Sequence, residues 1–169
     1  QITVKSQKNV GSTFEVILAL SICTLEEQTA EDGNHTETAR RQYHILLAED
    51  VSMNRKAMTR LLERAGLICD AVEDGRQAVE TFERSKPGEY DAILMDILMP
   101  NMNGRNATRA IRAMSRPDAR SIPIFALSAN ALPEDIQKSV DAGMDLHLSK
   151  PLVINEVLKA LNTWCIKEE

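Results

Sequence analysis

The sequence has no apolar run near the roughly 20 residues that a membrane helix needs. The longest run, around Val16–Cys23, follows Glu15 and is interrupted by Ser21. Positive charge is also short: 20 basic against 25 acidic side chains give −5 at pH 7. That disfavours general binding to nucleic acid or to an anionic membrane, since both need a basic face. Cysteine is scarce, and Cys23, Cys69 and Cys165 are far apart and odd in number. This argues against a disulfide scaffold and for a reducing cytoplasm. No charged start followed by a short apolar core marks a signal peptide, and no internal repeat is visible. The first residue is Gln1 rather than Met, so the expectation is a piece of a longer chain, with a membrane anchor on the parent left open. What is present is ordinary globular composition, 43% hydrophobic and 27% charged over 169 residues, enough for one domain with an appendage.

Three segments differ in character. In 1–23, Ile2 and Val4 alternate with polar neighbours, Lys8-Asn9-Val10-Gly11 offers turn chemistry, and Phe14, Val16, Leu18 and Leu20 alternate again, which reads as a hairpin. A lone hairpin is marginal in water and needs something to pack on. Residues 24–42 carry almost no apolar side chains and crowd Glu26, Glu27, Glu31, Asp32 and Glu37 together, the pattern of a flexible linker.

From residue 43 to 169, short apolar runs alternate with helical patterns. The runs are Ile45–Ala48, Leu67–Cys69, Ala92–Met95, Ile124–Leu127 and Leu146–Leu148. Met53, Ala57, Leu61, Leu62 and Ala65 recur at helical spacing and stop before Gly66. Asp74 is placed to cap a helix burying Ala78, Val79 and Phe82, with Gln77 as its capping-box partner. Ala107, Ile111 and Met114 form a third stripe. Pro133 suits the first turn of a fourth helix, with Ile136 and Val140 inward and Gly143 at its end. Ile154, Val157, Leu158, Leu161 and Cys165 form the fifth. Five strands alternating with five helices predict an α/β fold, a flavodoxin-like, doubly wound parallel sheet of order 2-1-3-4-5. Such sheets bind ligands beyond the carboxyl ends of their strands.

Those ends carry a chemically coherent set. Glu49 and Asp50 follow the first strand, Asp96 the third, Ser128 the fourth, and Lys150 with Pro151 the fifth. An acidic pair after a strand is as readily a cap or a solvated loop as a site, and a lone Asp, Ser or Lys at a strand end is more often structural than catalytic; the whole set on one edge is harder to dismiss. Carboxylates ~5 Å apart repel by about 3 kcal/mol per pair at an effective dielectric of ~20. A hard divalent cation relieves this, and Mg²⁺ suits carboxylates working with a phosphate. An Asp beside Mg²⁺, an ammonium and a hydroxyl is suited to phosphoryl transfer through an aspartyl phosphate.

Leu47-Ala48-Glu49-Asp50, Met95-Asp96-Ile97-Leu98-Met99-Pro100 with Asn103-Gly104, Leu127-Ser128-Ala129-Asn130 and Leu148-Ser149-Lys150-Pro151 together resemble the receiver domains of two-component response regulators. The resemblance implies Asp96 as phosphoacceptor. It implies Mg²⁺ held by Glu49, Asp50, Asp96 and the Leu98 backbone carbonyl, with Ser128 and Lys150 on the phosphoryl group. Leu98 and Asn130 would flank that group and influence attack by water. The resemblance also implies a cis Lys150–Pro151 bond and a switch in which Ser128 moves and the residue matching His147 turns inward. The opposite expectation for His147, a half-buried strand histidine with no such role, stands beside it.

The segment Ile2-Thr3-Val4-Lys5-Ser6 with Val10-Gly11-Ser12-Thr13-Phe14-Glu15-Val16 looks like the last two strands of a histidine-kinase ATP-binding domain. Any amphipathic hairpin would read similarly. With the linker and receiver pattern behind it, the kinase reading is preferred and implies a hybrid sensor histidine kinase as parent. No phosphoacceptor-histidine helix or ATP box is present, His35 and His44 fit neither, and no kinase activity is expected of this segment. The implied partners are the kinase core of the same parent and a histidine phosphotransfer protein. Nucleic acid and membrane binding are not expected, and dimerisation is left open. The last helical pattern stops near Trp164, so output is expected in trans or upstream. A pseudo-receiver that only docks partners is the alternative, although it would normally lack part of the acid–lysine set. A haloacid-dehalogenase-type phosphatase would want Asp where Leu98 stands, and Glu49-Asp50 would repel the phosphate of a flavin.

Overall fold

The computed structural model describes residues 2–7, 11–16, 42–129 and 132–165, in two compact units, Gln1–Ala39 and Arg40–Glu169. In the first, β1 (Ile2–Gln7) and β2 (Gly11–Val16) pair antiparallel, with Ile2 opposite Val16 and Gln7 opposite Gly11. Thr3 Oγ1 donates to Glu15 Oε2 at 3.2 Å, and the Ser6 and Ser12 hydroxyls meet at 2.7 Å, cross-strand pairs of the kind that fix register. The expected turn at Lys8–Val10, the strand extension through Leu18 and Leu20, and the linker with His35 lie outside the described residues.

The second unit runs β3 (His44–Ala48), α1 (Ser52–Arg64), β4 (Ile68–Val72), α2 (Gly75–Arg84), β5 (Ala92–Asp96), α3 (Gly104–Arg112), β6 (Ile124–Ser128), α4 (Pro133–Val140), β7 (Leu146–Ser149) and α5 (Ile154–Trp164). All five strands are parallel in the order β4-β3-β5-β6-β7, which is 2-1-3-4-5 within this unit, as expected. The alternation of side chains along β3, β5 and β6 feeds two cores. Leu46, Ile93, Met95 and Ile124 pack on Ala78 and Phe82 of α2 and Ala107 and Ile111 of α3. On the opposite face Ile45, Leu47, Leu94 and Phe125 pack on Met58 and Leu62 of α1 and Val157 and Leu161 of α5.

Local signals explain several boundaries. Asp74 accepts from the Gln77 N–H at 2.8 Å, while the Gln77 side chain accepts from the N–H of Glu73, one residue earlier than a standard capping box. Gly66, at φ 82°, ends α1 as predicted. Arg112 ties the end of α3 to the segment before β7, donating to the Gly143 carbonyl at 3.0 Å and to Asp145 Oδ2 at 2.8 Å.

Three expectations are corrected. The second strand starts at Ile68 and reaches Val72, because at the sheet edge it need not be apolar throughout; Ile68 itself is exposed. The α1 stripe is displaced: Met53 is 79% exposed and Ala57 exposed, while Met58 and Leu62 face the core. In α4, Val140 is exposed and Ile136 only half-buried, and Ser139 is the buried side chain.

Candidate functional site

Parallel strands place their carboxyl ends on one edge. Glu49 and Asp50 leave β3 there, Asp96 closes β5, Ser128 closes β6 and Lys150 follows β7. All five line one cleft of about 500 Å³, together with Leu98. The backbone holds this edge firmly. The Glu49 N–H donates to the Val72 carbonyl at 3.1 Å, and the Lys150 N–H to the Ser128 carbonyl at 2.9 Å. The Lys150–Pro151 peptide is cis, as the resemblance implied.

Lys150 Nζ donates to Glu49 Oε2 at 2.6 Å and to Asp96 Oδ2 at 2.7 Å. Glu49 is completely buried, and its other oxygen, Oε1, accepts from Asn54 Nδ2 at 3.1 Å and the Val51 N–H at 3.4 Å. Asp96 Oδ1 accepts from the Leu98 N–H at 3.2 Å. Burial is the main cause holding the Asp96 carboxyl above its usual range, with Glu49 adding to it and Lys150 and the Leu98 N–H opposing. For Lys150, burial acts to lower the pKa, but the hydrogen bonds and charges of Asp96 and Glu49 outweigh it and the ammonium is held above its ordinary value.

Oxygens of Glu49, Asp50 and Asp96 lie within 4.8 Å of one another. Within the cluster three carboxylates share one directly bonded ammonium, Lys150, and all the candidate ligand atoms are oxygen. The set fits a hard divalent cation. Leu98 lies at the cleft and is 78% exposed.

His147 is not in this cleft. It is half-buried on β7, bordering a separate groove against α5, and neither ring nitrogen has a hydrogen-bond partner among the described residues. Burial, helped by the charge of Arg105, pushes its imidazole below the ordinary histidine value. Asn130 lies outside the described residues.

Three site residues escaped the sequence reading. Asn54 supports Glu49. Arg55 Nη1 donates to the Glu49 and Asp50 carbonyls at 2.7 and 3.1 Å, and its Nη2 to Glu73 at 2.7 Å, tying down the β3–α1 turn. Arg105 lines the cleft from the first turn of α3. A signal existed for the first two, since Asn54 and Arg55 fall one turn into the helix that starts beside Glu49-Asp50. Arg105 had none beyond following Asn103-Gly104.

Residues 45–162 match the response regulator receiver domain family. The Escherichia coli K12 aerobic respiration control sensor protein ArcB is 36% identical over 154 residues, covering 90% of this chain and 19% of its own length. The Schizosaccharomyces pombe peroxide stress-activated histidine kinase mak1 is 38% identical over 134 residues, covering 79% of this chain and 8% of its own. The chain thus spans less than a fifth of either curated relative. Among solved structures, the receiver domain of sensor histidine kinase PA1611 from Pseudomonas aeruginosa PAO1, crystallised with a magnesium ion coordinated in its active site cleft, is 40% identical. It covers 73% of this chain and 98% of that one, with a TM-score of 0.65. No helix of the described residues is long and apolar enough to cross a membrane. With the parallel sheet, its strand order and the acid–lysine cleft, these matches lead to one conclusion: the chain belongs to the response regulator receiver domain family.

Proposed function

We propose that Asp96 accepts a phosphoryl group from a phosphohistidine and hands it to a histidine phosphotransfer protein, as a station in a phosphorelay. The observation that carries this reading is Lys150 Nζ bridging the buried Glu49 and Asp96 carboxylates at 2.6 and 2.7 Å in an open cleft. An Asp96 carboxylate oxygen attacks phosphorus as the P–N bond to the donor imidazole breaks, and the electron pair of that bond stays on the imidazole nitrogen. Lys150 moves its hydrogen bond from the carboxylate to a phosphoryl oxygen, and the Ser128 hydroxyl donates to another. Glu49, Asp50, Asp96 and the Leu98 carbonyl would hold Mg²⁺, which when bound would neutralise charge on the transferring phosphoryl oxygens.

The segments of the chain are read as residues 1–23, the tail of a histidine-kinase ATP-binding domain; 24–42, a linker; and 43–169, the receiver. The β1–β2 hairpin with Gly11-Ser12-Thr13-Phe14 supports the first. So does the ArcB match, whose 90% coverage exceeds the receiver's own share and must run back into residues before Tyr43. The parent is then a hybrid sensor histidine kinase, and its kinase core and a phosphotransfer protein are the partners, in the cytoplasm.

Acetyl phosphate with Mg²⁺ tests the chemistry. The chain is expected to gain one phosphoryl group by intact mass, lose it in hydroxylamine, and gain none when Asp96 is Asn or when Mg²⁺ is chelated. Labelling that survives Asp96→Asn overturns the assignment. Incubation with ATP alone should leave the chain unlabelled.

A further inference from the structure

Arg105 has a place that the reaction as described does not use. It follows Gly104, where a Cβ would collide with the Asp96 carbonyl, so the Arg105 backbone leaves one residue from the Asp96 strand end, and Arg105 lines the same cleft as Asp96, Ser128 and Lys150. Its Nε donates to Ser139 Oγ at 3.2 Å, and its Nη2 donates to both the Asp135 carbonyl and Asp135 Oδ1 at 3.2 Å. Among the described residues these are its hydrogen bonds to α4. Its Nη1 has no hydrogen-bond partner among the described residues.

We infer that Arg105 is a second cation of the phosphoacceptor cleft, exchanged between Asp135 on α4 and a phosphoryl group on Asp96. This rests on the reading of Asp96 as phosphoacceptor and adds a phosphoryl-binding residue to it.

Three features make the exchange cheap. First, the Arg105–Asp135 pair is partly exposed, and such pairs are weak. Second, Asp135 is not abandoned when Arg105 leaves, because Lys138 Nζ already stands 3.5 Å from the same Oδ1. Third, the Ser139 hydroxyl keeps its own bond to the Asp135 carbonyl at 3.0 Å. On the other side of the balance, conversion of a carboxylate into an acyl phosphate dianion adds a negative charge and three acceptor oxygens. A guanidinium suits those oxygens because it can donate two parallel N–H bonds. Leaving Asp135 also removes the polar links that join α3 to α4, so the transfer of one arginine would report the state of Asp96 to that helix.

Beryllofluoride with Mg²⁺, a stable mimic of the phosphoryl group on a carboxylate, tests this by ¹⁹F NMR titration of the purified chain. Arg105→Met is expected to weaken apparent affinity roughly tenfold, about the loss of one charge-assisted hydrogen bond. Asp135→Asn, which frees the guanidinium, is expected to tighten binding severalfold. The double variant is expected to match Arg105→Met, since the gain from Asp135→Asn requires the arginine. A fixed strut between helices would give the opposite pattern: both single variants would loosen α4 and shift affinity the same way, and that result overturns the inference. If Arg105→Met fails to fold by circular dichroism, the sign of the Asp135→Asn shift alone decides. Failure of the underlying reading looks different: wild-type chain that binds no beryllofluoride, or binding that persists in Asp96→Asn, removes the phosphoacceptor assignment and this inference with it.

Discussion

Gly104 lies directly on the backbone carbonyl of Asp96. A Cβ at this position would collide with that oxygen and with the Met95 side chain, and the Gly104 N–H is bonded to the Ile97 carbonyl at 3.0 Å. The start of α3 and the end of β5 are therefore one rigid piece, and the Asp96 side chain inherits its position from it. Because the obstructing atom is backbone, no side-chain rotation relieves the clash. Gly104→Ala is expected to cost about 1–3 kcal/mol in urea unfolding and to weaken Mg²⁺ binding by shifting Asp96.

Removing the ammonium should separate metal binding from phosphoryl chemistry. In Lys150→Met, the fully buried Glu49 and the buried Asp96 lose their shared counter-charge. Breaking a buried pair by deleting one partner costs about 3–5 kcal/mol. The variant is expected to unfold at lower urea, to recover more stability on adding Mg²⁺ than wild type does, and to take little phosphoryl from acetyl phosphate. Paired melts with and without Mg²⁺ check the first two, and intact mass the third.

The pH dependence of stability carries a mark of His147. Its folded pKa lies below the ordinary 6.5, chiefly because the ring is buried. Between those two values the unfolded chain binds more protons, so stability falls as pH drops below 6.5 and stops falling only below the folded pKa. His147→Phe is expected to flatten this part of the profile, as read by urea unfolding at a series of pH values at fixed ionic strength. An unchanged slope would show that another group sets it.

Asp74 is predicted to act as cap and clasp together. It accepts from the Gln77 N–H at 2.8 Å and from Asn101 Nδ2 at 2.8 Å. The Gln77 N–H is the leading cause that holds its carboxyl below the ordinary range, so the stability it contributes is present above about pH 4 and is lost as pH falls through the depressed value. Asp74→Ala is expected to cost about 1–2 kcal/mol at neutral pH and much less in strong acid, measured by chemical denaturation at both.

The sequence shows most clearly what packing decides on both sides at once. Buried strands such as Ile45–Ala48 and Ala92–Met95 must be apolar throughout, and the strand-end residues follow from them by topology. The helices were less legible, because a helix resting on one face tolerates apolar residues on the other. Met53 and Ala57 share spacing with Leu61 yet face outward, and only the neighbouring sheet distinguishes them from Met58 and Leu62. Val140 misled for the same reason, and the buried position beside it belongs to Ser139, whose hydroxyl is satisfied locally by Asp135 and Arg105. Arg105 itself was invisible because its significance is tertiary: it depends on two residues thirty or more positions away.

Helix α4 buries one small hydroxyl side chain, whereas α2 buries Phe82 and α3 buries Ile111. With apolar burial worth about 25 cal/mol per Å², detaching α2 or α3 would tear away a large share of what keeps the domain folded. Sliding α4, which fully buries only Ser139, would forfeit less apolar contact than moving α2 or α3. Among the described helices α4 is thus the seam that would give first, and the firmly packed ones are the fixed background against which its displacement would stand out.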